Sequence, residues 1–259
     1  MARGQAIPQT QSSADATAES RVIVVVPTYN EAENVGPLID AVLAQGPRFE
    51  VLIVDDGSPD GTGELVAAKA SGEPRLHLIR RAGKLGLGTA YVRGFREALT
   101  LGADLIVQMD GDFSHDPADL PRLVEAAGRA DVVIGSRYVA GGSTPGWPWY
   151  RHLASGGAAL ACRALLGIPI RDVTGGFKCW RRHVLEQLPL ERVRCRGFAF
   201  QLEMNHLSWR GGYSIVETPV RFVDRERGRS KMSPAIILEG ALLLWRLSIG
   251  RLSLRRRAK

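Results

Sequence analysis

Length, composition and charge limit what this chain can be. Its 259 residues, of which 45% are hydrophobic, are enough for one large domain or two small ones. The formal net charge of +7 arises from 34 Lys and Arg against 27 Asp and Glu, and the sequence after residue 245 is rich in cations and has no acid. Because the rest of the chain is balanced, the composition argues against a nucleic-acid binder, which carries its positive charge on a folded face.

The first 20 residues differ in composition from the rest. They have no aromatic residue and many Gln, Ser, Ala and Thr. Such a segment cannot bury enough apolar surface to offset the entropy lost on ordering, so it is predicted to be a disordered lead. It also lacks the apolar core of a signal peptide, which predicts that the protein stays on the cytoplasmic side.

Short apolar, β-branched segments alternate with longer, more polar ones. Five segments are predicted to be strands covered on both faces: residues 21–27, 50–56, 75–80, 104–110 and 131–136. The predicted helices lie between them, near residues 31–45, 61–71, 86–101 and 116–128. Strands that alternate with helices form parallel βαβ units, so the predicted fold is α/β with a doubly wound, mostly parallel sheet.

Three of the predicted strands end in polar clusters with the sequences PTYNE, DDGSPDGT and DGDFSHD. Ligands of doubly wound sheets bind beyond the carboxyl ends of the strands, so we expect these clusters to meet in one crevice. The third cluster presents Asp110 and Asp112 one residue apart, while Asp116 with Pro117 is predicted to begin the next helix.

Carboxylate oxygens suit a hard divalent ion such as Mg²⁺ or Mn²⁺, which takes its remaining ligands from phosphates and water. The pair therefore indicates a nucleoside diphosphate bound through a metal. The alternative for a bare D-x-D is an acidic turn, but a fold gains no stability by gathering three acidic strand ends. Neither of the common glycine-rich phosphate motifs, G-x-G-x-x-G and G-x-x-x-x-G-K-[ST], occurs in the chain.

The three cysteines, Cys162, Cys179 and Cys195, form no C-x-x-C pair. An odd number without that spacing argues against both a zinc site and a disulfide framework. They are predicted to be reduced thiols, partly in the core.

Seven motifs occur in the order known from one enzyme family. They are VPTYNEAEN, VDDGSPDGT, KLGLGTAYVRG, MDGDFSHDP, VIGSRY, DVTGGFKCW and FVDRERGRSKM. With them the chain resembles the dolichol-phosphate mannose synthases, also called polyprenol monophosphomannose synthases, of the inverting family-two glycosyltransferases. The resemblance covers about residues 21–232 and implies a catalytic domain with a Rossmann-like fold of the glycosyltransferase-A type.

The resemblance also implies which residues bind the donor. Pro27, Tyr29 and Glu31 of the first motif would line the nucleotide pocket. Val54 and Asp56 of the second motif would hold the base and the ribose. Pro27 and Tyr29 could instead serve only for packing at a strand end.

The metal-binding triplet of the family, commonly Asp-Ala-Asp, matches Asp110, Gly111 and Asp112, and Asp112 is the strongest metal candidate. Glycine in place of alanine keeps both carboxylates and removes only a methyl group, so little loss is expected. His115 is predicted to be a cap or surface residue and Glu203 to form a helix salt bridge, so neither is placed in the catalytic set.

Arg137, Arg225 and Lys231 would be the cations that bind the phosphates of donor and acceptor. The sequence does not say which cation faces which substrate. The plainer interpretations are a surface ion pair for Arg137 and a solvated charged loop for the other two.

The implied reaction is transfer of mannose from GDP-mannose to a polyprenyl phosphate of the dolichyl type. The acceptor phosphate is already ionised at neutral pH, so its attack on the anomeric carbon needs no strong general base and inverts that centre. Two alternatives remain at this stage: a related transferase that moves glucose or another sugar to the same lipid, and a catalytically silent nucleotide-binding subunit of a membrane enzyme.

Residues 233–259 are predicted to form an amphipathic interfacial helix and a basic tail. Glu239 and Arg246 interrupt the apolar run well short of the ~20 residues that a spanning helix needs. On a helical period these charges share one seam and most large apolar residues lie opposite, which favours peripheral binding to the membrane surface. The alternatives are a helix packed on the catalytic domain, and an integral membrane partner that holds the protein at the bilayer.

Overall fold

A seven-stranded sheet forms the centre of the computed structural model, which describes residues 19–193, 195, 197, 199–223 and 242–248. The strands are β1 (Val22–Thr28), β2 (Phe49–Asp55), β3 (Leu76–Arg80), β4 (Leu105–Gln108), β5 (Val132–Ser136), β6 (Lys178–Arg181) and β7 (Ile215–Pro219). Their order across the sheet is β3-β2-β1-β4-β6-β5-β7. Strand β6 is antiparallel to β4 and β5, and the other strand pairs are parallel.

Helices cover both faces of this sheet. They are α1 (Ala32–Leu43), α2 (Thr62–Ala70), α3 (Leu87–Thr100), α4 (Leu120–Ala126), α5 (Trp149–Leu166), α6 (Arg182–Gln187) and α7 (Ala199–Arg210). Short 3₁₀ turns lie at Pro117–Asp119 and Leu190–Arg192, and residues 242–248 are helical.

The alternation of side chains along β1 separates two hydrophobic cores. Ile23 and Val25 belong to one buried cluster, whereas Val22, Val24 and Val26 belong to the cluster on the opposite face. A strand buried on both faces reads as a continuous apolar run because neither face is solvated. This explains why the sequence VIVVV was recognisable as a central strand.

Helix α3 packs very closely on the sheet at Gly94. A Cβ atom at this position would collide with Cγ1 of Val25 in β1 and would lie 3.1 Å from Cγ2 of Val54 in β2. Glycine therefore brings the helix backbone against the strands that carry the first two polar clusters.

The predicted α/β class and all five predicted strands are confirmed, as are the four predicted helices. Most boundaries differ by one or two residues, and two of the differences lie near the third polar cluster. Strand β4 ends at Gln108 rather than residue 110, and the helix predicted at 116–128 begins as a 3₁₀ turn before α4. Asp116 caps that turn as expected, since its Oδ1 accepts a hydrogen bond of 2.9 Å from the Ala118 amide.

The predicted segments at the two ends are only partly described. Most of the predicted lead and much of the predicted interfacial segment lie outside the described residues, as do Arg225 and Lys231. In the helical turn 242–248, Leu243 is buried in the same cluster as Ile23, while Leu242 and Trp245 are exposed. Across the described ranges, no helix is both long and apolar enough to cross a membrane.

All three cysteines are buried, as predicted, and none of them is part of a disulfide. Burial raises the pKa of the Cys179 thiol to about 12 and that of Cys162 to about 11. These two thiols are therefore mostly protonated at neutral pH, which makes them poor nucleophiles.

Candidate active site

The three polar clusters meet at one edge of the sheet, as the sequence predicted. Thr28 Oγ1 donates a 3.2 Å hydrogen bond to Asp55 Oδ1, and Ser58 Oγ accepts a 3.0 Å bond from the Asn30 amide. These contacts join the first cluster to the second. The third cluster lies against the first, because a Cβ atom at Gly111 would sit 3.4 Å from the carbonyl oxygen of Pro27. That separation is an ordinary contact, so the site also has room for the alanine usual in the family.

Two cations, Arg81 and Lys84, lie beside the second cluster. The sequence interpretation did not single them out. Asp56 is buried and forms a 2.8 Å ion pair with Arg81, which is also largely buried. Burial raises the pKa of Asp56, and the charge of Arg81 acts in the opposite direction. Lys84 Nζ lies 4.6 Å from the centroid of the Tyr29 ring. Tyr29 and Asp56 are thus held at the crevice with cations beside them.

The remaining predicted pocket residues occupy different environments. Pro27 and Glu31 are partly exposed at the end of β1, and Glu31 Oε2 accepts a 2.8 Å hydrogen bond from Asn34. Val54 is fully buried and packs in the same core cluster as Val25. The Val54 side chain has no exposed surface. Its contact with the base of a nucleotide remains a prediction.

Asp110 and Asp112 of the third cluster are held in place by hydroxyl groups. Asp112 Oδ1 accepts hydrogen bonds from the Ser114 amide at 3.1 Å and from Ser114 Oγ at 2.6 Å. Asp110 Oδ1 accepts a 2.9 Å bond from the hydroxyl of Tyr91, a fully buried residue of α3. Burial and the nearby Asp110 raise the pKa of Tyr91, so the phenol stays protonated and donates.

This donor set fits a divalent cation that substrate helps to hold. Both carboxylates come from the end of one buried strand, and oxygen is the ligand that Mg²⁺ and Mn²⁺ prefer. In the part of the chain that the structure describes, no group of three or more His, Cys, Asp or Glu side chains could hold a metal unaided. A pair of carboxylates completed by phosphate oxygens and water is the usual arrangement for Mg²⁺.

His115 has a more specific position than the predicted cap or surface residue. It is buried, its ring stacks on Phe177 with centroids 5.0 Å apart, and its Nδ1 accepts a 3.3 Å hydrogen bond from the Asp110 amide. Burial lowers its pKa, which favours the neutral imidazole that can accept this bond. The ring therefore supports the backbone from which Asp110 extends.

Arg137 follows β5 and is held by Asp172 rather than lying on the surface. Its Nε and Nη2 donate to the two carboxylate oxygens at 2.7 and 2.6 Å, and Nη2 also donates to Thr174 at 2.8 Å. The guanidinium carbon lies 5.0 Å from the centroid of the Trp147 ring, against which Arg151 stacks at 3.8 Å. Two guanidinium groups thus lie against the Trp147 ring. Phosphate binding by Arg137 remains a prediction.

Other residues near the site were missed because their role depends on packing. Tyr91 and Lys84 lie in the motif KLGLGTAYVRG, and Lys178 lies in DVTGGFKCW, but no local spacing marks them as site residues. Glu203 Oε2 accepts a 3.0 Å hydrogen bond from the Cys195 amide, so it holds a neighbouring segment. A salt bridge of Glu203 with a helix neighbour remains a prediction.

Comparisons with known proteins agree with this geometry. A sequence model described as glycosyl transferase family 2 matches residues 23–189. The chain is 44% identical over 221 residues to polyprenol monophosphomannose synthase of Mycolicibacterium smegmatis, covering 85% of this chain and 83% of that protein. It is also 44% identical over 226 residues to undecaprenyl-phosphate mannosyltransferase of Micrococcus luteus, covering 86% and 91% of the two chains.

A similar fold is found among solved structures. The crystal structure of glucosyl-3-phosphoglycerate synthase from Mycobacterium tuberculosis with Mn²⁺, uridine diphosphate and phosphoglyceric acid superposes with a TM-score of 0.65 at 20% identity. The match covers 92% of this chain and 81% of that one. This likeness concerns the fold and agrees with the predicted glycosyltransferase-A type.

Proposed function

The chain belongs to glycosyl transferase family 2, and from this membership we propose that it transfers mannose from GDP-mannose to a polyprenyl phosphate of the dolichyl type. The observation that carries the proposal is the Asp110–Asp112 pair at the end of β4, in the same crevice as Tyr29 and Asp56. The names of the relatives supply the sugar and the class of lipid. GDP as the nucleotide and inversion at the anomeric carbon belong to the proposal.

The reaction is one displacement. An oxygen of the acceptor phosphate forms a bond to the anomeric carbon, and the bond from that carbon to the nucleoside diphosphate breaks, with the electron pair leaving on the diphosphate. An α-linked donor then gives a β-linked lipid phosphosugar. Because the acceptor oxygen is already an anion, catalysis rests on placement and on charge.

The site residues divide these tasks. Asp110 and Asp112 would hold Mg²⁺ or Mn²⁺, and a divalent ion bound there offsets the charge on the departing diphosphate. Tyr91 and Ser114 fix the two carboxylates through their hydroxyl groups. Asp56 would receive the ribose, and its ion pair with Arg81 fixes the orientation of its carboxylate.

The phosphate cations complete the site. Arg137, Arg225 and Lys231 would hold the phosphates in line for displacement, and Arg137 starts from a fixed position on Asp172. Positioned charges of this kind are often the largest single contribution to catalysis.

The substrate lipid requires contact with a membrane, and helix α5 offers a suitable surface. Trp149, Leu153 and Leu160 are 72%, 65% and 66% exposed and lie on one face of the helix, opposite the buried Ala159 and Cys162. The helix contains no acidic residue. An exposed apolar stripe with aromatic residues and cations is typical of helices that lie in the membrane interface.

We therefore propose peripheral binding at the cytoplasmic face, with the exposed Leu242 and Trp245 and the basic tail contributing. An integral membrane partner could cover the same surface, and binding of the purified protein to protein-free vesicles distinguishes the two. Binding to vesicles of anionic lipid without another protein supports the peripheral assignment.

The decisive experiment offers the purified protein polyprenyl phosphate with GDP-mannose, UDP-glucose and other sugar nucleotides, and identifies any lipid product by mass. A mannosyl product from GDP-mannose alone supports the proposal. A glucosyl product would favour the related transferase, and nucleotide binding without any product would favour a silent subunit.

A further inference from the structure

A lysine is buried directly behind the site. Lys178 is fully buried at the start of β6, where it pairs with Gln108, the last residue of β4 and two positions before Asp110. Its Nζ donates to Gln201 Oε1 at 2.8 Å and to the Gln201 carbonyl oxygen at 3.3 Å. Gln108 Nε2 donates to the same Oε1 at 2.8 Å. The hydrogen-bond partners found for this ammonium group are therefore neutral oxygens.

Fold stability does not account for a lysine at this position. Taking an ammonium group out of water is costly, and an apolar side chain of similar volume is often as stable or more stable there. Burial lowers the pKa of Lys178 to about 7, whereas Asp172 and Asp110 act to raise it. These two carboxylates favour the charged form of the lysine.

The segment leading into β6 passes between the same two carboxylates. A Cβ atom at Gly175 would lie 3.3 Å from the carboxyl carbon of Asp172, and one at Gly176 would lie 3.2 Å from Asp110 Oδ2. Asp110 belongs to the metal side of the crevice and Asp172 to the Arg137 side. Lys178 follows two residues after Gly176, and its side chain is buried in the protein interior.

We propose that Lys178 is a positioning residue of this site: its ammonium group, held by Gln201, offsets the negative charge of Asp110 and Asp172 so that phosphate groups can bind beside them. The inference rests on the proposed function, in which a diphosphate and a lipid phosphate both enter a crevice that contains several carboxylates. A positive charge on Lys178 behind the crevice reduces their repulsion without occupying any of the space that the substrates need.

The charge can be removed while a polar, hydrogen-bonding side chain is kept. Lys178→Gln retains a polar side chain opposite Gln201 but has no charge, and Lys178→Arg retains the charge. At an effective dielectric of about 20, a unit charge changes the affinity for an anion about 12 Å away by about tenfold. We therefore expect Lys178→Gln to weaken GDP binding in the presence of Mn²⁺ about tenfold, and Lys178→Arg to stay within about threefold of the unmutated chain.

Calorimetric titration with GDP and, separately, UDP, below the melting temperature of every variant, measures this effect. Ser208→Ala is the matched control for stability, because Ser208 is buried on the same helix as Gln201 and the hydrogen bond described for its hydroxyl goes to the Met204 carbonyl. This control should lower the melting temperature without changing GDP affinity.

One result would overturn the inference. Unmutated affinity in Lys178→Gln, with or without a lower melting temperature, would leave the lysine a purely structural role. If Lys178→Arg does not fold, Lys178→Gln alone decides. Failure of the unmutated protein to bind either diphosphate would instead count against the proposed function, so the two failures are distinguishable.

Discussion

Replacing Asp172 by asparagine tests how much its buried ion pair with Arg137 stabilises the folded protein. The Asp172 side chain is fully buried and that of Arg137 is 8% exposed. The carboxylate accepts three hydrogen bonds from Arg137, from its amide at 3.0 Å, Nε at 2.7 Å and Nη2 at 2.6 Å. Asparagine has the same shape but no charge, so it leaves the guanidinium buried opposite a neutral group.

The size of the loss follows from this geometry. Breaking a buried ion pair by removing one partner costs about 3–5 kcal/mol, because the remaining charge is uncompensated. Asparagine keeps one acceptor oxygen, so we expect the free energy of unfolding to fall by about 3 kcal/mol, near the lower end. For a protein of this size, that loss corresponds to a fall of roughly 6–12 °C in melting temperature.

Urea and thermal denaturation followed by circular dichroism measure the change. Glu186→Gln is the matched control, since it removes the charge of a Glu186–Arg182 pair whose two side chains are 44% and 39% exposed, and exposed pairs contribute about 0–1 kcal/mol. The double variant Arg137→Met/Asp172→Leu removes both charges and should recover part of the loss. A loss for Asp172→Asn no larger than that of the control would refute this reasoning.

Three further predictions concern the metal, the phosphate cations and the tail. Asp112→Asn should abolish transfer, and chelator should silence the unmutated enzyme until Mg²⁺ or Mn²⁺ returns; full activity in chelator would contradict the metal role. Arg225→Ala or Lys231→Ala should lower transfer at least about tenfold with little change in melting temperature, because a charge-assisted hydrogen bond contributes about 1.5–3 kcal/mol; unchanged activity would make both residues part of a solvated loop. Deleting residues 255–259 should weaken binding to anionic vesicles, as added salt should, at about 1 kcal/mol for each basic residue, while transfer to a short soluble acceptor survives. If the deletion lowered transfer equally to the short soluble acceptor and to a long acceptor in vesicles, the tail would instead pack on the catalytic domain.

The parallel half of the fold was predictable from local sequence. Each of β1, β2, β4 and β5 is a short β-branched run, and such runs suit strands buried on both faces. Parallel strands present their carboxyl ends at one edge, so the convergence of the three polar clusters followed from the same pattern. The Asp110–Asp112 pair was found for this reason.

The contacts within the site were not predictable in the same way. Arg137 and its partner Asp172 are 35 residues apart, and Lys178 and Gln201 are 23 residues apart. No period or spacing joins such residues, since their meeting depends on where β6 enters the sheet. Strand β6 has only four residues, with the sequence KCWR, and no alternation that identifies it as a strand.

The direction of β6 explains why one short segment serves both sides of the site. Because β6 is antiparallel to β4 and β5, its first residue, rather than its last, lies beside the carboxyl ends of those strands. The chain must therefore enter the sheet through the crevice, where Gly175 and Gly176 leave room for the carboxylates on either side. A parallel strand in this place would bring its final residue and the loop after it to the crevice, and the lysine at its start would lie at the far edge. The antiparallel insertion thus places a buried cation behind two carboxylates, Asp110 just beyond the end of β4 and Asp172, which pairs with Arg137 beyond the end of β5.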